Sequence, residues 1–109
     1  MKNILITGGA GFIGSNLCNY LIKKNFNIYA IDDLSIGKKK NIESKKIKFI
    51  KSDILKINKI KFKKKINIII HLAARAEILI PKEKEPLYYK SNILGLQEVL
   101  NFANKNKIQ

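Results

Sequence analysis

Glycines at fixed spacing lie near the amino terminus, between an apolar segment and a segment of helical periodicity. They form G-x-G-x-x-G as Gly9, Gly11 and Gly14, and T-G-x-x-G-x-x-G when Gly8 replaces Gly9. Glycine permits a sharp turn from strand to helix and leaves room for a phosphate to approach the backbone. The free N–H groups and the positive dipole end of the helix then attract phosphate. The pattern predicts a site for the pyrophosphate of a dinucleotide. A Walker-type phosphate loop would need Lys directly after Gly14, where Ser15 stands.

A carboxylate follows the next apolar segment, 18 residues after Gly14. Asp32 stands at the end of this predicted strand, where an acid can accept hydrogen bonds from both hydroxyls of an adenosine ribose. The same charge repels a 2′-phosphate, so the sequence favours NAD over NADP. The other interpretation of Asp32 is a residue that only opens a loop, and the glycine turn at this spacing favours ribose binding. For Asp33, both interpretations stay open.

Strand-like and helix-like segments alternate along the chain, which predicts a parallel sheet with crossover helices in an α/β fold. The predicted strands are four short apolar segments, the last of them fully buried: residues 2–7, 27–31, 47–51 and 66–72. Helical spacing of apolar residues predicts helices over residues 12–24 and 87–105, with a short helix over residues 55–65. The inward face of the last helix is predicted to consist of Ile93, Leu96, Val99, Leu100 and Ala103.

The composition is that of a globular chain with an excess of positive charge. Of 109 residues, 46% are apolar and 28% are charged, which excludes a disordered tail, a collagen-like fibre and a membrane bundle. The formal net charge is +14, yet 21 of the 22 basic residues are lysines spread along the chain. Nucleic-acid-binding proteins usually concentrate their charge on one face, favour arginine and interleave aromatic residues. We therefore expect no specific nucleic-acid partner.

The cysteine content, the amino-terminal segment and the length of the apolar runs predict where the protein is located. The single cysteine, Cys18, cannot form an internal disulfide and is expected to be a buried apolar group on the first helix. The amino-terminal segment lacks the pattern of a signal peptide. Apolar runs are far shorter than the ~20 residues that a membrane-spanning helix needs. We expect a cytoplasmic protein that does not bind membranes.

Five segments together carry a resemblance to a known family. TGGAGFIGSNL, DDLSIGKKKNI, SDI, IHLAARAEI and PLYYKSNILG resemble the extended short-chain dehydrogenase family, specifically its NAD-dependent nucleotide-sugar epimerases and dehydratases. The resemblance is strongest to UDP-glucose and UDP-glucuronate 4-epimerases, and it extends from about residue 2 to about residue 103. It implies that residues 1–109 are the N-terminal part of an NAD(P)-binding Rossmann domain. Such a domain is a doubly wound parallel sheet, and the first four strands have the order 3-2-1-4.

The same resemblance implies which residues surround the cofactor. The matching positions are Gly8, Gly11, Phe12, Ile13 and Gly14 at the pyrophosphate; Asp32, Asp33, Leu34, Ser35, Gly37 and Lys38 around the adenosine ribose; Asp53 and Ile54 beside the adenine; Leu72, Ala73 and Ala74 at the nicotinamide; and Asn92 on the last helix, near the cofactor. Three further residues match the family's sequence without an assigned role: Ser15, Arg75 and Glu77.

The reaction implied by the family needs groups that this chain lacks. A tyrosine, helped by a lysine and a Ser or Thr, removes a hydroxyl proton while NAD takes a hydride from a sugar carbon. None of these groups has a matching position, so we predict no catalytic residue. Tyr20 and Lys24 have the Y-x-x-x-K spacing but lie at the far end of the first helix, ~9–15 Å from the phosphates. Tyr88 and Tyr89 are expected to pack at the start of the last helix, and His71 beside the sheet.

The predicted sheet ends where a fifth strand would follow, which leaves the fourth strand as an unpaired apolar edge. We expect an isolated chain that is marginally stable or prone to aggregate, together with a complementing C-terminal half that binds the UDP-sugar substrate. A homodimer through residues 87–105 is expected for the complete enzyme only. Two functions stay open. The chain is either the NAD-binding portion of a nucleotide-sugar epimerase or dehydratase, inactive alone, or a non-catalytic dinucleotide-binding or partner-binding module from a truncated or split gene.

Overall fold

Four strands form one parallel sheet in the computed structural model, which describes residues 1–108. β1 (Asn3–Thr7) and β2 (Asn27–Asp32) lie at the centre, and β3 (Lys48–Lys51) and β4 (Ile68–His71) lie at the two edges. The order is β3-β2-β1-β4, and each pair of neighbours is parallel. The predicted Rossmann-type sheet with strand order 3-2-1-4 is therefore confirmed.

Two helical stretches cross the faces of this sheet. α1 (Phe12–Lys23) begins directly after the glycine turn. The second stretch has three parts: α2 (Glu85–Tyr89), a π-helical segment (Lys90–Leu94) and α3 (Gly95–Asn106). The sequence predicted a single helix over residues 87–105. The π-helical segment was not predicted, because one wide turn inside a helix leaves little trace in the apolar periodicity.

The remaining regular structure consists of short 3₁₀ helices, Lys39–Asn41, Ile54–Lys59 and Lys82–Lys84. The helix predicted over residues 55–65 is thus shorter and tighter than expected. It ends because Ile60 already has extended dihedral angles (φ −81°, ψ 128°). The chain beyond Ile60 then places the Phe62 ring between the rings of two core aromatic residues. Among the described residues, no helix has both the length and the apolar character needed to cross a membrane.

Successive residues of the central strands point to opposite faces of the sheet, so each strand supplies two cores. On one face Leu5, Tyr29 and Ile31 pack with Val99 and Phe102 of α3. On the other face, residues of the central strands pack with α1, where the side chain of Cys18 is fully buried. Burial raises the pKa of the Cys18 thiol to about 12, which keeps it protonated and unreactive. The structure thus places Cys18 in the core, as expected from the sequence.

The prediction of a fully buried fourth strand is wrong. Ile68, Ile69 and Ile70 are each only half-buried, because β4 pairs with β1 on one side and lies at the edge of the described sheet on the other. The expected unpaired apolar edge is present. Such an edge exposes backbone N–H and C=O groups that can pair with a further strand.

The predicted inward face of the last helix is also partly wrong. Val99 is buried and Ala103 is half-buried, but Ile93, Leu96 and Leu100 are exposed. The buried residues of α3 are Gly95, Val99 and Phe102. Since successive helical residues are about 100° apart, a residue one position after a buried one lies to the side of the contact with the sheet. This leaves an exposed apolar stripe on the helix.

Substitutions in α3 test this correction. Phe102 is 7% exposed and its ring lies 5.6 Å from the Phe62 ring, whereas Leu100 is 48% exposed. Phe102→Ala is expected to lower the free energy of unfolding by about 3 kcal/mol or more, because it leaves a cavity. Leu100→Ala is expected to lower it by less than about 1 kcal/mol. Urea denaturation followed by circular dichroism measures both values, and equal losses would contradict the described orientation of α3.

Candidate functional site

A crevice of about 410 Å³ opens at the carboxyl ends of the strands. It lies where the strand order reverses between β1 and β4, which is the usual ligand position in sheets of this type. Eleven of the residues predicted from the sequence line it: Gly8, Gly11, Asp32, Asp33, Ser35, Gly37, Asp53, Ile54, Leu72, Ala73 and Ala74. The crevice therefore brings together the glycine turn, the acids after β2 and β3, and the segment after β4.

The glycine turn forms the floor of this crevice through close backbone contacts. A Cβ on Gly14 would lie 2.1 Å from the carbonyl oxygen of Gly8, so only glycine lets α1 begin this close to β1. Gly8 itself has a φ of 69°, and a Cβ there would lie 2.8 Å from the backbone nitrogen of Ala73. A Cβ on Gly11 would meet only the Gly8 oxygen, at 3.4 Å. Gly11 thus borders open space within the crevice.

The amino-terminal end of α1 is free to receive an anion. The N-cap residue, Gly11, supplies no side chain to accept a hydrogen bond, and the first turn contains no acidic residue. The first backbone N–H groups of a helix have no partners within it, and the helix dipole adds positive potential there. Phe12, Ile13 and Gly14, which the sequence placed at the pyrophosphate, form this first turn but are not among the residues that line the crevice, and the Phe12 side chain is 84% exposed.

Asp32 connects the glycine turn to the loop that follows β2. Its Oδ2 accepts a hydrogen bond from the Ala10 N–H at 3.0 Å, and its Oδ1 accepts one from the Leu34 N–H at 2.8 Å. A carboxylate oxygen can accept more than one hydrogen bond, so both oxygens keep capacity for hydroxyl groups of a ligand. Asp33 is exposed, and its Oδ1 accepts from both the N–H and the hydroxyl of Ser35.

The loop after β2 closes over the glycine turn through contacts with Ala10. The Lys38 N–H donates to the Ala10 carbonyl at 3.1 Å, and the Asn41 side-chain amide donates to the same oxygen at 3.0 Å. A Cβ on Gly37 would lie 2.7 Å from the Ala10 carbonyl carbon. Leu34 and Lys38 therefore shape the loop without lining the crevice. Asn41 was not identified from the sequence, because nothing in its surroundings signals this long-range contact.

The far end of the crevice is formed after β3. Asp53 caps the 3₁₀ helix there, since its Oδ1 accepts a hydrogen bond from the Leu55 N–H at 3.0 Å. Two lining residues in this region were not assigned a place from the sequence: Ser52 and Leu55. Ser52 and Leu55 directly flank the predicted pair Asp53 and Ile54, and this adjacency was the available signal.

The wall after β4 has no regular secondary structure, and side chains from other elements hold it. The Thr7 hydroxyl oxygen accepts hydrogen bonds from the N–H groups of Leu72 and Ala73, at 3.0 and 3.1 Å. Asn92, on the π-helical segment, accepts from the Arg75 N–H and donates to the Arg75 carbonyl, both at 2.8 Å. Asn92 is not among the lining residues, and its amide engages the backbone of the wall.

Further residues after β4 and on the following helical stretch complete the rim. Arg75 and Glu77, which matched the family without a role, line the crevice together with Ile31, Ala76, Leu87, Lys90 and Ser91. The Tyr88 hydroxyl donates a hydrogen bond to the Glu77 carboxylate, and this bond lowers the pKa of Glu77 below its ordinary value. Tyr88 therefore forms a hydrogen bond at the rim, in addition to the packing that was expected from the sequence. Tyr20 and Lys24 do not line the crevice; the Lys24 Nζ lies 5.5 Å from the Tyr20 ring centroid.

Comparisons with known proteins agree on one family. The chain matches the NAD dependent epimerase/dehydratase family over residues 4–109. A putative UDP-glucose 4-epimerase of Methanocaldococcus jannaschii is 36% identical over 108 residues, which are 96% of this chain and 35% of that protein. An epimerase structure from Methanothermobacter thermautotrophicus has a TM-score of 0.89 at 35% identity, over 98% of this chain and 33% of that one.

A further structure is a UDP-glucose 4-epimerase of Thermus thermophilus in complex with NAD. It has a TM-score of 0.84 at 27% identity and covers 98% of this chain and 35% of that one. The chain described here therefore spans about a third of the length of the relatives that it matches.

Alanine substitutions test the close contact in the glycine turn. Gly14→Ala forces Gly8 and α1 apart, and we expect the free energy of unfolding to fall by about 2–3 kcal/mol. Gly11→Ala is the matched control, because Gly11 has an ordinary φ of −72° and its added Cβ has room. Its free energy of unfolding should change by less than about 1 kcal/mol. Urea denaturation measures both, and equal stability of the two variants would show that the turn tolerates a side chain at position 14.

Proposed function

We propose, from the premise that this chain belongs to the NAD dependent epimerase/dehydratase family, that it is the NAD-binding portion of a nucleotide-sugar epimerase or dehydratase. The observation that carries the proposal is the position of Asp32 and the uncapped end of α1 on one crevice. A dinucleotide presents a doubly charged pyrophosphate and a ribose diol, and these two features match that pair of groups.

The residues of the crevice suit each part of NAD in turn. The backbone of Gly8, Gly11, Phe12, Ile13 and Gly14 would hold the pyrophosphate. Asp32 would accept hydrogen bonds from the adenosine ribose, with the loop from Asp33 to Lys38 around it, and Asp53 and Ile54 would flank the adenine. Leu72, Ala73 and Ala74 would lie along the nicotinamide, and Asn92 would hold their wall in place. The negative charge of Asp32 disfavours a 2′-phosphate, which supports NAD over NADP.

When bound, NAD supplies a hydride acceptor that takes a hydride from a sugar carbon and can return it. The chain's own contribution is to bind and orient that acceptor. We assign no catalytic residue to it, and we propose that a complementing C-terminal portion supplies the proton-transfer groups and the UDP-sugar site. The chain alone is then inactive. Its length, about a third of that of its relatives, supports this division.

Two surfaces are suited to partners in this proposal. The open edge of β4 has half-buried Ile68, Ile69 and Ile70 and would pair with a strand of the complementing portion. The exposed stripe of Ile93, Leu96 and Leu100 would form the contact of a homodimer in the complete enzyme. The unpaired, buried thiol of Cys18 supports a reducing compartment such as the cytoplasm.

A non-catalytic dinucleotide-binding or partner-binding module is the second candidate. The joint position of Asp32 and the uncapped end of α1 on the crevice also supports it, because these groups bind a dinucleotide without taking part in a reaction. The crevice would then bind NAD without a reaction, and no complementing portion would be needed.

Calorimetric titration with NAD tests the proposed site. Asp32→Ala removes the ribose acceptor, and we expect NAD affinity to fall at least about tenfold, since hydrogen bonds to a charged group contribute about 1.5–3 kcal/mol. Glu43→Ala is the control, because it removes one exposed carboxylate outside the crevice. Its affinity should match that of the unsubstituted chain. Equal binding by the Asp32 and Glu43 variants would remove Asp32 from the proposed site.

Complementation separates the two candidate functions. The last two thirds of the Methanocaldococcus jannaschii relative, supplied in trans, is expected to co-purify with this chain and to restore interconversion of UDP-glucose and UDP-galactose. Each part alone should be inactive. A chain that binds NAD but neither associates with the added portion nor restores turnover would favour the non-catalytic module.

A further inference from the structure

One buried side chain below the crevice wall has several hydrogen-bond partners. Thr7 is fully buried and stands in register with His71 across the β1–β4 pair. Its hydroxyl oxygen accepts from the N–H groups of Leu72 and Ala73, and it also lies 2.7 Å from Nδ1 of His71. The hydroxyl therefore has three polar partners.

Counting protons determines the direction of the third hydrogen bond. A threonine hydroxyl has two lone pairs and one hydrogen. The N–H groups of Leu72 and Ala73 both point at the hydroxyl oxygen and occupy its lone pairs, although that of Leu72 also donates to the Thr7 backbone carbonyl at 3.2 Å. The single hydrogen is then donated to His71. Nδ1 of His71 is then an acceptor without a proton, and the neutral ring carries its proton on Nε2. A doubly protonated ring would place an N–H against a hydroxyl that has no lone pair left.

We propose that His71 is a positioning residue for the NAD crevice. By accepting the Thr7 hydrogen, it orients the hydroxyl that holds Leu72 and Ala73 in the wall, and its protonation weakens NAD binding. The inference deepens the proposed function and rests on it for the ligand. It leaves His71 outside catalysis, as the sequence indicated, but gives it a task beyond packing.

The wall has little freedom to adapt if this orientation is lost. Ala73 lies against the glycine turn, where even a Cβ on Gly8 would be only 2.8 Å from its nitrogen. If the Thr7 hydroxyl rotates, the Ala73 N–H loses its acceptor, whereas the Leu72 N–H keeps the Thr7 backbone carbonyl at 3.2 Å. A part-buried unpaired donor destabilises its conformation. Leu72 and Ala73 both line the crevice, so this change reaches the site directly.

The pKa of His71 is set by its burial and not by nearby charged side chains. The titratable side chains on the segment after β4 and on the helical stretch that follows it are Arg75, Glu77, Glu85, Tyr88, Tyr89, Lys90, Glu98 and Lys105. None of them shifts the pKa of His71; burial alone lowers it from the ordinary 6.5. Because the folded-state pKa is the lower one, the contribution of His71 to stability is complete above the unfolded-state value. It is lost as the pH falls through the folded-state pKa.

NAD affinity measured at about pH 8 and about pH 5 tests the proposal, because burial places the His71 pKa below the ordinary 6.5. The full chain should bind NAD about fivefold to tenfold more weakly at the lower pH. His71→Asn keeps an acceptor near the Nδ1 position but does not titrate, so its ratio of affinities between the two pH values should be close to one. His71→Leu has no acceptor and should bind weakly at both. A ratio in His71→Asn equal to that of the unsubstituted chain would overturn the proposal.

A second measurement does not depend on NAD. The backbone amide signals of Leu72 and Ala73, followed by NMR without ligand, should shift with the same midpoint as the His71 ring. They should not shift over that range in His71→Asn. If NAD fails to bind at any pH, the proposed function fails, and these signals still decide the role of His71. Amide signals that do not shift as His71 titrates would refute the positioning role of His71.

Discussion

The backbone contact between Gly8 and Gly14 is the constraint on which the site depends. With the Gly8 carbonyl oxygen 2.1 Å from where a Cβ of residue 14 would be, α1 starts as near to the end of β1 as the chain permits. Its first N–H groups, which have no partners within the helix, consequently follow directly after Gly11, which lines the crevice at the strand ends. A helix that began one turn later would carry the same dipole away from Asp32 and from the wall after β4.

Around this turn, individual side chains form the hydrogen bonds that a strand or helix would otherwise provide to the backbone. Asp32 ties Ala10 to the loop after β2, Thr7 holds the start of the wall, and Asn92 holds Arg75 from the π-helical segment. Each of these groups binds irregular backbone in or next to the crevice. The arrangement satisfies the polar backbone of segments that have no strand or helix to pair with, and it does so without filling the space between them.

Much of this fold could be predicted because its signals are local. Alternating strand and helix patterns identified the elements, and the glycine spacing with Asp32 after β2 located the crevice. Leu100 and Phe102 show what local signals do not predict. Both residues are apolar, and the position of the Ile54–Lys59 3₁₀ helix and of Phe62 in the fold determines which of them is buried. The contacts of Asn92 with Arg75 and of Tyr88 with Glu77 span 17 and 11 positions. Partners at such separations are selected by the assembled fold, and the family pattern marked Asn92 without showing what it holds.

β4 serves two surfaces at once, since its end leads into the crevice wall while its outer side remains open. A strand that docked on that side would restrict the motions of β4, and with them those of Leu72 and Ala73. Ligand and docking strand would therefore assist each other, and thermodynamic reciprocity makes the two effects equal in free energy. In the proposed function, binding of the cofactor would thus favour docking of that strand through β4.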